Sequence, residues 1–137
     1  MKALKSLRQL LEIRSLRADN LSRSLSEARA DAESAQEREA KASEALDIAA
    51  RRAAGNPVGD ALRKSGVIAA AELQDALMRQ SVLRSDEADA GLSLAQHKAA
   101  RRAAQERAEQ VAAEFSRAQK AVLRAEFSLE AAEKVDR

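Results

Sequence analysis

Residues 4–28 read LKSLRQLLEIRSLRADNLSRSLSEA, and their spacing decides the fold. Stepping alternately three and four residues picks out Leu4, Leu7, Leu11, Arg14, Ala18, Leu21, Leu25 and Ala28. The same step continues through Ala32, Ala35, Glu39, Ala42, Leu46, Ala49 and Ala53 without a change of register. Thirteen of these fifteen positions are apolar, and no Gly or Pro precedes Gly55. A 3.5-residue repeat held this long marks a coiled-coil seam rather than an ordinary amphipathic stripe. It predicts one helix over residues 2–54.

The run ends at Ala54-Gly55-Asn56-Pro57, which offers a glycine at the helix end, an Asn cap and a proline in the first helical position. Gly59 and Gly66 bracket a short stretch, DALRKS, with room for a turn or two of helix, so residues 55–66 form a connector. A second periodic series occupies the rest, as a helix over 67–135. It runs from Ala69, Leu73 and Ala76 through Leu83, Glu87, Leu94, His97 and Arg101 to Val111, Phe115, Ala118, Val122, Ala125, Leu129 and Ala132. Its polar positions cluster between Gln80 and Arg101, where Gly91 also sits.

Folding the chain at the connector brings the two seams together. In an antiparallel pair, positions whose numbers sum to 122 face each other throughout, as do sums shifted by one heptad. At 122, Leu7 faces Phe115, Leu11 faces Val111, Ala28 faces Leu94 and Leu46 faces Ala76, so large side chains meet small ones. Glu39 falls opposite Leu83, where it is expected to snorkel outward. The expected fold is therefore all-α: a long antiparallel two-helix coiled-coil hairpin of about 75 Å, at 1.5 Å per residue, forming one domain over residues 1–137. This register leaves residues 119–137 unpaired, a C-terminal helical overhang of about 28 Å. Its stripe of Val122, Ala125 and Leu129, with Phe127 beside it, reads as a surface awaiting a partner.

Composition excludes much else. Aromatic residues are 1% of the chain, hydrophobic residues 45% and charged residues 34%, a mixture typical of long helices and contrary to sheet-based enzymes. There is no Cys, so disulfides and thiolate metal sites fall away, and the single His97 has no second ligand. It is expected as a seam histidine near Leu25. The longest apolar run, Val67 to Ala71, is far too short to span a bilayer, and the charged N-terminus lacks the apolar stretch of a secretory signal. The expected location is cytoplasmic, without membrane insertion. Lys and Arg number 24 against 22 acids, for a net charge of +2, and no acid-free basic stripe or stacking aromatic suggests nucleic acid. Carboxylates lie on charge-rich helix faces where i, i+4 pairing explains them, so neither an enzyme nor a cofactor is expected. Arg14 and Arg101 occupy seam positions and are read as markers of register.

An opening MKALKSLRQLLEIRSLRADNLSRSL that leads into a hairpin of this size resembles the FliJ/YscO family, the central-stalk proteins of flagellar and virulence type III secretion systems. The shared elements are a helix starting within a few residues of Met1, the Leu4-Leu7-Leu11 seam with interleaved basic residues, a break near mid-chain and a longer second helix. Members of that family are similar to the γ subunit of rotary ATPases. The resemblance implies a non-enzymatic stalk whose paired helix ends enter the pore of the hexameric export ATPase and promote its activity. It further implies that the hairpin tip reaches the cytoplasmic region of the export gate, and that some members escort export chaperones. Carried onto this chain, the ATPase-docking end comprises Leu4, Leu7, Arg8, Leu11 and Arg14 with Phe115, Val122, Phe127 and Leu129. The tip comprises Val58, Val67, Ile68 and Leu73. The protein would then be peripheral to the bacterial inner membrane through the secretion apparatus. The competing expectations are a generic coiled-coil adaptor or scaffold, including a parallel homodimer through the first helix, and an export chaperone-like protein.

Overall fold

The computed structural model describes residues 2–65 and 69–136. Three helices account for nearly all of them: α1 (Lys2–Ala54), α2 (Pro57–Ser65) and α3 (Ala70–Asp136), and no strand occurs among the described residues. The two long helices are joined by a bend that contains α2. α1 runs for 53 residues because Ala, Leu, Glu and Arg dominate it and nothing interrupts its hydrogen bonds. Arg51 and Arg52 lie in its last turn, where the carbonyl end of the helix favours cations. The Gly55 amide then donates to the Arg52 carbonyl at 3.3 Å and closes the helix.

The connector contains more helix than its glycines suggested. α2 starts at Pro57, with Asn56 as its cap, as the Asn-Pro pair implied. The Asn56 Oδ1 accepts from the Gly59 amide at 3.0 Å, and its carbonyl accepts from the Asp60 amide at 2.8 Å. A Cβ at Gly59 would lie 2.6 Å from the Asn56 amide nitrogen, so the glycine leaves room for the cap instead of ending a turn. The Leu73 amide donates to the Ala69 carbonyl at 3.0 Å as α3 begins.

The chain divides into two compact units. Unit 1 comprises Met1–Ser34 with Arg102–Arg137, and unit 2 comprises Ala35–Arg101. In unit 1 the buried side chains are Ala18, Leu25, Ala28, Val111, Ala118 and Ala125. Leu25, Ala28 and Val111 form a cluster against which Ala108, Ala112 and Phe115 pack. Among the described residues of unit 2, Ala35, Ala42 and Ala76 are buried. Every one of these lies on the two periodic series. Alanine dominates, so each layer buries little, and the backbones can approach toward the short end of the roughly 8–10 Å usual for packed helices.

The pairing inside each unit corrects the expected register. Val111 packs with Leu25, not with Leu11, a displacement of two heptads from the sum of 122 and one heptad beyond the permitted shift. Phe115 joins the Leu25 layer instead of facing Leu7. Near the chain ends, the Arg8 Nη2 lies 3.6 Å from the Glu133 Oε1, and the Arg14 Nη1 donates to the Ala121 carbonyl at 3.1 Å. The C-terminal overhang is therefore not present: Ala125, expected unpaired, is 1% exposed.

A shift by whole heptads keeps every seam residue on the seam, so periodicity is blind to it. Charge is not. Glu39 and Arg101, whose numbers sum to 140, meet across unit 2, and the Arg101 Nε and Glu39 Oε2 form an ion pair with side chains 25% and 19% exposed. At 122 the same two charges would each face leucine, Arg101 against Leu21 and Glu39 against Leu83, unneutralised in an apolar seam. Glu39 thus does not snorkel; it is paired. His97 is half-buried in unit 2.

Candidate functional site

The residues expected at the paired helix ends divide by position on the heptad. Leu4, Leu7 and Leu11 of α1, with Val122 and Leu129 of α3, are half-buried on the seam of unit 1. Phe115 is half-buried further along, against the Leu25 cluster. These side chains hold the unit together. The surface is made by others. Arg8 is exposed, and Phe127 is 68% exposed.

The structure adds five large apolar side chains to that surface which the periodicity passed over: Leu10, Ile13, Leu16, Leu123 and Val135. Their signal was in the sequence as apolar residues off the seam, most densely in LLEIRSL over 10–16. With Leu11 and Arg14 on the seam, Leu16 stands on the side of α1 opposite it and Ile13 one step round. Phe127 stands likewise on the outer side of α3, with Leu123 beside it. Ile13 is 65% exposed and Val135 88%. Exposed apolar groups thus occur on the outer sides of both helices of unit 1, not on one shared face.

Between the helices of the same unit lies a polar concavity of about 530 Å³ lined by Arg14, Arg17, Glu114, Arg117, Ala118 and Ala121. Arg14 is half-buried and anchored through the Ala121 carbonyl, and the Arg117 Nε donates to the Ala113 carbonyl at 3.4 Å.

The expected tip lies partly outside the described residues, which exclude Val67 and Ile68. Val58 and Leu73 are half-buried. Among the described residues of unit 2, the exposed large apolar side chains are Ile48, Leu62, Leu77, Met78, Val82 and Leu92. Pro57, Met78, Val82 and Leu83 line one shallow groove with Asp75 and Arg79, and Ile48, Ala49 and Leu83 line another with Arg52 and Asp86. Sequence reasoning missed Met78 and Val82 because they fall between seam positions.

Among the described residues, no group of three His, Cys, Asp or Glu side chains is placed to hold a metal ion. No helix among them is long and apolar enough to cross a membrane. Compared with known protein families, curated proteins and solved structures, the chain matches none.

Proposed function

We propose that this chain is a non-enzymatic stalk, an antiparallel coiled-coil hairpin whose paired helix ends insert into a ring-shaped export ATPase of the type III secretion kind and raise its activity. The observation that carries this reading is the arrangement of apolar groups on unit 1. A partner that docks on one side needs one apolar face. A partner that surrounds a helix pair needs grip on all sides, and Leu16 on α1 and Phe127 on α3 face outward from opposite helices. The seam leucines, being internal, no longer serve as the docking groups; the outward residues Leu10, Ile13, Leu16, Leu123 and Phe127, with Arg8, take that role.

Activation would follow from asymmetry. A helix pair inside a sixfold ring cannot touch all subunits alike, so it favours some conformations over others, and differential contact is what shifts a population. The basic residues of α1, among them Lys5, Arg8, Arg14 and Arg17, would steer the end toward acidic loops of the pore. The grooves around Met78 and Val82 in unit 2 would supply the contact with the cytoplasmic region of the export gate or with an export chaperone, in place of Val58 and Leu73. The protein would act in the cytoplasm, at the inner membrane through its partners.

The test adds the purified chain to its cognate export ATPase. Co-purification and stimulated hydrolysis are expected, and Leu16→Asp with Phe127→Asp should abolish both while helicity is kept. A wild-type chain that neither binds nor stimulates would return the protein to the adaptor reading.

A further inference from the structure

Two seam arginines have opposite fates. Arg101 meets Glu39, so its charge is compensated inside the chain. Arg14, equally a seam residue and half-buried, is held only by a carbonyl, the Ala121 oxygen at 3.1 Å. A carbonyl orients a guanidinium without cancelling its charge. Arg17 and Arg117 line the same concavity, and among the described residues no carboxylate lies within ion-pair distance of any of the three. Glu114 is the one acid lining it and forms no ion pair with them within 4 Å. Three arginines and one glutamate therefore line the hollow with a net positive charge, and Arg14 and Arg117 each donate to a backbone carbonyl.

From this we infer that the Arg14–Arg17–Arg117 hollow is a recognition site for an acidic peptide segment of a partner protein. Guanidinium forks match carboxylates in a planar, two-bond geometry, and arginine clusters are the usual readers of acidic motifs. The volume, about 530 Å³, falls in the range of sites that enclose several groups and is generous for one small inorganic anion. Anchoring of Arg14 and Arg117 lowers the ordering cost when the segment binds. This deepens the docking reading by giving the chemistry of the partner's loop, and rests on that reading only for which protein supplies it.

Fluorescence anisotropy of a labelled hexaglutamate peptide, titrated with the full chain, tests the site. Saturable binding is expected, weakened at least about tenfold by Arg17→Glu with Arg117→Glu, since charge-assisted bonds of this kind are each worth about a factor of ten or more. The control Lys41→Glu with Arg84→Glu makes the same charge change in unit 2 and should alter binding by less than about threefold, because exposed charges beyond a Debye length are screened. Arg17→Lys with Arg117→Lys keeps charge and helicity and should still weaken binding, since an ammonium lacks the fork. Equal losses in both Glu pairs, no saturable binding, a Lys pair that binds like wild type, or displacement of the peptide by an equal concentration of inorganic phosphate would each overturn the inference. The peptide assay needs no ATPase. Peptide binding without ATPase stimulation therefore overturns only the stalk reading, and stimulation without peptide binding only this site.

Discussion

Replacing Glu39 and Arg101, singly and together, interrogates the register through their half-buried ion pair. The two side chains are 19% and 25% exposed, so the pair sits between a surface bridge and a fully buried one. Exposed pairs contribute about 0–1 kcal/mol, and breaking a fully buried pair costs about 3–5 kcal/mol. Glu39→Leu removes the carboxylate that faces Arg101 in the half-buried seam and should cost about 2 kcal/mol. Arg101→Leu strands Glu39 and also removes the further contacts Arg101 makes, for a similar or larger loss. The double variant replaces both charges by apolar groups and should recover most of that cost, leaving a coupling of about 1–2 kcal/mol. Urea unfolding followed by circular dichroism measures all four corners of the cycle. In the register with sums of 122, Glu39 and Arg101 would each oppose leucine. Each single change to Leu would then stabilise, and the two effects would add. Additive, stabilising single substitutions would refute the reasoning.

Three further outcomes follow from burial and capping. Leu25→Ala, in the cluster with Ala28 and Val111, should cost about 2–4 kcal/mol, and Leu129→Ala clearly less because that leucine is only half-buried; thermal unfolding separates them. Ala125→Leu should destabilise by about 1–3 kcal/mol through overpacking, where an unpaired overhang would have tolerated it without loss in the same melts. Gly59→Ala places a Cβ against the Asn56 cap, so it should match Asn56→Ala, at about 1 kcal/mol, and both should speed amide hydrogen exchange in α2 while leaving α1 and α3 protected.

How far the sequence sufficed depends on which physical quantity each feature obeys. The seam obeys periodicity, and every buried side chain, from Ala18 to Ala125, lies on the series that stepping by three and four picks out. The helix end at Gly55 and the cap at Asn56 are local chemistry and were legible too. Register was not, because a two-heptad slide returns every Ala and Leu to the seam. The pairing of polar groups distinguishes the alternatives, Glu39 with Arg101 and Arg8 with Glu133. The register with sums of 122 produced the expected overhang, on which Val122 and Leu129 would be unpaired; both are half-buried on the seam. Of the expected docking residues, Phe127 and Arg8 stay on the surface because their positions do not depend on register. Ile13, Leu16, Met78 and Val82 went unnoticed because apolar residues off a seam carry no meaning until the seam is known to be complete without them.

The central claim, that a ring surrounds the paired helix ends, is tested most directly by site-specific photocrosslinking. Benzoylphenylalanine placed singly at Ile13, Leu16, Leu123 and Phe127, all exposed in unit 1, is irradiated with the cognate export ATPase, with Leu92 of unit 2 as the control. The account predicts ATPase adducts from all four positions and none from Leu92. Adducts from one helix only, or from Leu92 alone, would mean a one-sided partner and contradict insertion into a ring.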